Sequence, residues 1–256
     1  MLLVLLVWGI IAGYFAGFLG IGAGVLIMPF LAFMGTPYQS AVDASLMAVF
    51  ISSLTAKIQH QRISGINWEP GVVICIPAAI SALFGSIYLI HLFPPRLLEV
   101  IFAGLMFLNV DLLRIANNLA KLNKSSIAAS EKDNKRYFIH YIIIGVISGL
   151  MASLLGIGGG IIIVTMLMIM TNSPIKEAVK IAVVVMVVAT FFSLCADLVQ
   201  NALPYEIGVP LAAGAVVGSF FGTIALNYVD SSVIRKINYV ISFDLGLFMI
   251  IKVLLT

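Results

Sequence analysis

Some glycine residues of this sequence form two clusters, and their spacing is the clearest indication of a functional site. The clusters comprise Gly20, Gly22 and Gly24, and then Gly156, Gly158, Gly159 and Gly160. Glycines two residues apart do not share one face of a helix, so these clusters predict breaks in helices rather than packing faces.

A helix that begins after such a break is able to bind an anion. The N–H groups of its first turn have no partner within the helix, and the positive end of the helix dipole lies beside them. The first residues after the breaks are Val25 and Ile161. We therefore expect an anion site at each break, with the alternative that the glycines serve only the close packing of helices.

The clusters lie inside apolar runs typical of a membrane protein. Hydrophobic residues make up 62% of the chain and charged residues 10%, with a mean hydropathy of +1.16, which is far from the composition of soluble domains. The runs around the clusters, 2–34 and 139–171, are longer than the roughly 20 residues that cross a bilayer. This composition predicts an all-α membrane protein with about eight spans.

The predicted spans fall into two groups of four, separated by one long polar stretch. They are the interrupted segments 2–34 and 139–171, together with 41–58, 71–92, 97–114, 177–199, 206–228 and 233–254. We expect an N-terminal repeat at 1–115, a cytoplasmic linker at 116–138 and a C-terminal repeat at 139–256. More lysines and arginines fall on the predicted side of the linker and both termini, so this side is expected to be cytoplasmic.

The two groups repeat one another in sequence. A shift of 136 residues aligns the two glycine clusters, and a shift of 137 aligns Pro37 with Pro174 and Glu69 with Glu206. Duplicated units are common in secondary transporters, where the substrate lies between the repeats. With four spans in each unit the repeats are parallel, whereas full crossing by the short segments after the glycines would make them inverted.

A second set of small residues recurs every four positions and predicts helix packing. The set comprises Gly9, Gly13 and Gly17, and in the second repeat Gly145, Gly149 and Ser153. Each trio lies on one helix face, and small faces let membrane helices approach closely.

Polar residues inside the predicted spans supply the other site candidates. Hydroxyl groups on two corresponding spans are expected to complete the anion shell: Ser45, Ser52, Thr190 and Ser193. Hydroxyls also bond back to their own helix, which is the alternative.

Three charged residues are candidates for transport chemistry, because charges inside a membrane are costly. Lys180 is expected to meet the incoming anion, and Asp43 and Asp244 are expected to carry a coupling proton. Asp43 and Lys180 align under the repeat shift, so pairing between them, or snorkelling to the interface, are alternatives. The histidines are expected to lie solvated at span ends and not to be ligands: His60, His91 and His140.

The sequence lacks the motifs that two candidate enzyme classes would require. There is no His-Glu-x-x-His motif, and no serine with a histidine at membrane depth. We expect no enzyme activity, cofactor, metal site or nucleic-acid partner. The expected partners are a small anion, membrane lipid and, as an option, a second copy of the chain.

The motifs together resemble those of one transporter family. "GFLGIGAGVLIMPFL" followed by "AVDASLMAVFISSLTA" and "GINWEPG", with "LLGIGGGIIIVTML" in the second half, is similar to the sulfite exporter TauE/SafE family. The resemblance implies a multi-pass carrier in a prokaryotic inner membrane for sulfite, sulfonates or related organosulfur anions. We expect alternating access with proton coupling as an option, the rivals being a passive anion channel and a membrane scaffold.

Overall fold

The computed structural model describes residues 1–63, 65, 68–122, 134–171, 173–200 and 203–255, which form helices and no strand. The helices are α1 (Leu2–Leu19), α2 (Gly24–Phe33), α3 (Tyr38–Ile63), α4 (Trp68–Phe84), α5 (Ile90–Leu92), α6 (Pro95–Leu122), α7 (Asn134–Leu155), α8 (Gly160–Met170), α9 (Ile175–Val199), α10 (Tyr205–Tyr228) and α11 (Ser231–Leu255). A π-helical turn at Gly85–Leu89 joins α4 to α5. The all-α prediction is confirmed.

Among the described residues, seven helical segments are long and apolar enough to cross a membrane. The predicted span 97–114 is not one of them, although it lies within the 28-residue helix α6. This stretch contains three charged residues: Glu99, Asp111 and Arg114.

Both predicted helix breaks are present, and glycine makes them possible. Gly20 and Gly22 end α1 with φ angles of 66° and 89°, and Gly156, Gly158 and Gly159 have φ angles of 65–75°. Side chains disfavour this left-handed region, so the breaks depend on glycine.

The first break reverses the direction of the chain. The Trp8 Nε1 donates to the carbonyl oxygen of Leu26 at 3.3 Å, and the rings of Trp8 and Phe30 stack with centroids 4.6 Å apart. A helix that continued across the membrane would separate residues 8 and 30 by about 33 Å. α1 and α2 therefore form a hairpin, which differs from the single interrupted crossing expected from the sequence.

The second break has the same consequence for α7 and α8. Ile147 and Met151 of α7 line one groove together with Met166 and Met170 of α8. Residues on both sides of the break thus lie side by side, as they do in the first hairpin.

The small-residue faces pack as predicted, each against a helix of the other repeat. A Cβ on Gly9 or Gly13 would overlap the backbone of Leu211 or Ala215, so α1 lies against α10 and runs in the same direction. A Cβ on Gly145 or Gly149 would likewise overlap the backbone of α4. The first helix of each repeat is therefore held by the opposite repeat.

Two pairs of corresponding helices are antiparallel. In the first pair, α3 and α9, the neighbouring residues are Asp43 with Asp197, Phe50 with Phe191, and His60 with Lys180. In the second pair, α6 and α11, Glu99 forms an ion pair with Lys252, and Arg114 donates to the hydroxyl of Tyr239. Numbers rise along one helix and fall along its partner in both pairs.

These directions define two sides of the bundle. The upper side holds the starts of α1, α3, α6 and α10, and the lower side holds the starts of α4, α7, α9 and α11. On the upper side His91 hydrogen-bonds Gln200, with Nε2 and Oε1 2.7 Å apart. On the lower side Lys176 Nζ donates to the carbonyl oxygen of Asn227 at 3.3 Å.

Cysteine cross-linking tests the antiparallel crossing of α3 and α9. In a background with Cys75→Ala and Cys195→Ala, the pair Phe50→Cys and Phe191→Cys should link through a short bifunctional thiol reagent, because their rings lie 5.9 Å apart. Linkage is read as a mobility shift after cleavage of an engineered protease site between the two helices.

The matched control is Ile58→Cys with the native Cys195, in Cys75→Ala protein. A parallel arrangement with the 137-residue shift would pair these two positions, whereas the antiparallel crossing places them on opposite sides. Cross-linking of the control pair in preference to the test pair would contradict the described crossing.

Candidate functional site

The two glycine breaks lie back to back in the interior of the bundle. A Cβ on Gly24 would overlap the carbonyl oxygen of Gly156, and a Cβ on Gly160 would overlap that of Gly20. These contacts correspond to each other under the 136-residue shift. The structure thus brings the two predicted glycine sites together into one cluster.

Several amides that follow the breaks, Val25 among them, are hydrogen-bonded locally. Val25 N–H donates to the carbonyl oxygen of Gly22 at 3.3 Å, and Ile163 N–H donates to that of Gly159 at 3.1 Å. The side chains of Val25 and Ile161 are fully buried. In this conformation the cluster is close-packed, and an anion needs the breaks to separate before it reaches these amides.

The predicted hydroxyl shell divides into two kinds. Ser45 Oγ donates to the carbonyl oxygen of Gly156 at 2.7 Å and so joins α3 to the second break. Ser52 bonds back to Val49, and Thr190 bonds back to Met186 at 2.6 Å. The latter two follow the alternative in which hydroxyls satisfy their own helix.

The two charged residues that align under the repeat shift are far apart. Asp43 lies near the upper side and Lys180 near the lower side, because α3 and α9 are antiparallel. Lys180 Nζ donates to Glu177 Oε1 at 2.8 Å instead. Pairing between Asp43 and Lys180, one of the alternatives, is therefore wrong.

Each of these residues has a buried neighbour that sequence reasoning did not assign to the site. Asp43 is 2% exposed and its neighbour Asp197 is 4% exposed, while Lys180 lies close enough to His60 for their charges to interact. Asp197 and His60 are themselves 137 residues apart. The repeat shift, applied to all polar residues, was the signal that would have found them.

The expectation that His60 is solvated is wrong. Its side chain is fully buried, and neither ring nitrogen has a hydrogen-bond partner in the described part of the chain. The predicted span ended at residue 58, but α3 continues to Ile63, and His60 lies on its buried side while residues 61–63 are exposed.

Asp244 lies apart from these buried groups. It is exposed on α11, whereas Asn238 and Ser242 of that helix face α6 and are buried. Asn109 Nδ2 on α6 donates to Ser242 Oγ at 2.9 Å, and Thr165 on α8 donates to Asn109 Oδ1. This buried network joins three helices and does not include Asp244.

Comparison with known proteins gives a family and relatives that are named as transporters. The sequence model of the sulfite exporter TauE/SafE family matches residues 5–249. A "Probable membrane transporter protein" of Methanocaldococcus jannaschii is 29% identical over 219 residues, covering 81% of this chain and 78% of the relative. "Probable membrane transporter protein YdhB" of Bacillus subtilis is 25% identical over 241 residues, covering 92% and 94%. The family match extends over both glycine clusters.

Ser45→Ala tests the hydrogen bond between α3 and the second break. The substitution should lower the free energy of unfolding by about 1 kcal/mol, because it leaves the buried Gly156 carbonyl without this donor. Unfolding is followed by titration with sodium dodecyl sulfate, using tryptophan fluorescence.

Ser52→Ala is the matched control, since its hydroxyl bonds only within α3. Its effect should be about 0.5 kcal/mol or less. Equal losses in the two variants would mean that the contact with Gly156 contributes nothing specific.

Proposed function

The chain belongs to the sulfite exporter TauE/SafE family, and from this premise we propose that it is a secondary transporter of small anions in a prokaryotic inner membrane. The substrates proposed are sulfite, sulfonates and related organosulfur anions. The names of the relatives support transport, and the family's name supports the sulfur-containing substrate.

We propose further that the transporter consists of two inverted repeats, with 1–115 and 139–256 as its halves. The antiparallel pairs α3–α9 and α6–α11 support inversion, because corresponding helices related by an axis along the membrane normal would be parallel. Each hairpin enters and leaves on one side, so each half crosses the membrane three more times. With an odd number of crossings in each half the repeats are inverted. The expectation of parallel repeats rested on an even number.

The observation that carries this proposal is the contact between the two breaks. Gly24 lies against the Gly156 carbonyl and Gly160 against the Gly20 carbonyl, with no room for a side chain. If the hairpins α1–α2 and α7–α8 rock against each other, the contact opens and frees amides near the membrane centre for an anion. A passive channel needs a lasting opening at this point, which the closed cluster does not favour.

The hairpins also change the proposed orientation. Most basic residues in the described helices lie toward the lower side: Lys57, Arg62, Arg114, Lys121, Lys135, Arg136, Lys176, Lys180, Arg235 and Lys236. Only Arg96 and Lys252 lie toward the upper side. Since cytoplasmic segments carry the excess of lysine and arginine, we place the lower side in the cytoplasm. Leu2 and Leu255 then face outward, which reverses the expectation from the sequence.

This orientation gives the basic residues at the lower end of the α3–α9 crossing a role. Lys180 and His60 lie there together, both at least 93% buried. An anion that approaches from the cytoplasm meets these two groups before it reaches the glycine cluster. Lys180 exchanges its partner Glu177 for the anion, whose entry its positive charge then favours.

Exchange of labelled anions tests the proposed function. Purified protein in liposomes should exchange radiolabelled sulfite against internal sulfite with saturable kinetics. Gly24→Ala and Gly160→Ala should each lower the initial rate about tenfold, because an added methyl keeps the breaks from closing at a cost of about 1–3 kcal/mol.

Gly104→Ala is the matched control, because a Cβ at this position has no atom within 4 Å. It should exchange sulfite like the unmodified protein. Unchanged exchange in both test variants would contradict the glycine-centred mechanism. Absence of flux for sulfite, sulfonates and sulfate alike would contradict anion transport, and flux that never saturates would indicate a channel.

A further inference from the structure

We propose that Asp43 and Asp197 form a carboxyl pair that holds one exchangeable proton and couples it to transport. The proposal rests on the proposed function and deepens it, since it pairs Asp43, the proton carrier expected from the sequence, with Asp197. The pair lies at the upper end of the α3–α9 crossing.

The helix crossing places the two carboxyl groups at one depth. Phe50 of α3 contacts Phe191 of α9, with ring centroids 5.9 Å apart. Asp43 precedes Phe50 by seven residues, or about two turns, and Asp197 follows Phe191 by six. Because the helices are antiparallel, both aspartates lie on the same side of the aromatic contact, where their charges interact.

The surroundings of the pair contain unsatisfied oxygen atoms. Four buried oxygens have no hydrogen-bond partner among the described residues: Asp43 Oδ2, Asp197 Oδ2, Ser86 Oγ and Ser193 Oγ. Ser86 lies beside Asp197, and Ser193 precedes Asp197 by one helical turn. The serine hydroxyls carry protons of their own, but the two carboxylate oxygens have no donor in the part of the chain that the structure describes. Buried polar groups are nearly always paired, and a proton on one of the acids meets this need.

No lysine or arginine pairs with the two acids in the described part of the chain. Two adjacent buried carboxylates without a counter-ion do not both remain ionised. One proton held by either acid removes the repulsion and leaves a single negative charge on the pair.

Other titratable groups lie on elements near the pair. His91 of α5 is the one whose charge reaches Asp197. On α6, Glu99 is paired with Lys252, and Glu206 of α10 is exposed. α2 and α8 contain no titratable residue. Lys180 and His60 lie about 25 Å farther along the crossing.

A polar path connects the pair to the upper side. His91 is exposed and its Nε2 lies 2.7 Å from Gln200 Oε1. Gln200 Nε2 donates to the backbone carbonyl of Ser86 at 3.3 Å, and Ser86 lies beside Asp197. These polar groups place the pair within reach of the upper side, and its proton exchanges with water on that side.

Infrared difference spectroscopy tests the proton held by the pair without relying on transport. Purified full-length protein should show a carbonyl-stretch band of a protonated carboxylic acid that disappears as pH rises. Asp43→Asn and Asp197→Asn should each change the pH at which this band disappears, because the remaining acid keeps its buried site but loses its neighbour's charge, and the double variant should lack the band. Asp111→Asn, an exposed acid paired with Arg114, is the matched control and should leave the band and its pH unchanged.

A transport assay then tests coupling. In liposomes with a pH gradient of one unit, coupling of one proton sustains about tenfold accumulation of sulfite. Asp43→Asn and Asp197→Asn should lose this accumulation yet keep sulfite exchange without a gradient within about twofold. Asp197→Glu, which keeps the acid, should retain part of the accumulation.

The two experiments separate failure of this inference from failure of the proposed function. A titrating band that survives in the double variant, or that neither single substitution shifts, would overturn the pair, whatever the transport result. Accumulation driven by a sodium gradient and not by a pH gradient would overturn the proton in favour of sodium. A band that behaves as expected in protein without sulfite flux would keep the pair and contradict the proposed substrate.

Discussion

The contact between two glycine breaks is the constraint on which the rest of this structure depends. Gly24 meets the carbonyl oxygen of Gly156, and Gly160 meets that of Gly20, so backbone lies directly on backbone. Irregular backbone inside a membrane protein requires that other protein or water satisfy its polar groups. Here each break is covered by the other, and Ser45 supplies a further donor to Gly156.

The reversal of the chain at each break determines the architecture around it. Because α2 returns along α1, the following helix starts on the side from which α1 came, and the corresponding helices of the halves become antiparallel. The crossing of α3 and α9 then has two chemically different ends. Asp43 and Asp197 lie at the upper end, and His60 and Lys180 lie at the lower end. Opposite charges at repeat-related positions suit a carrier that handles an anion and a proton.

Local sequence patterns predicted the features that depend on local physics. Apolar length predicted the helices, the positive φ angles of Gly20 and Gly156 follow from their glycine spacing, and the small faces at Gly9 and Gly145 pack as expected. These properties need only the chain within a few turns of the residue concerned.

The features that sequence reasoning did not find depend on tertiary contacts. The ten residues of α2 do not indicate in which direction this helix runs relative to α1. The contact of Phe30 with Trp8 establishes that direction. The separation of Asp43 from Lys180 and the burial of His60 follow from the same reversal. The spacing of hydroxyl residues also does not reveal which side chains hydrogen-bond back to their own helix, as Thr190 does.

The most direct test of this account is the side of the membrane on which residue 36 lies. In protein with Cys75→Ala and Cys195→Ala, Leu2→Cys and Thr36→Cys are labelled separately with a membrane-impermeant maleimide in right-side-out and inside-out vesicles. If the break reverses the chain, both positions react from the same side and Asp230→Cys reacts from the other. Labelling of Leu2→Cys and Thr36→Cys from opposite sides would contradict the hairpin and the inverted halves built on it.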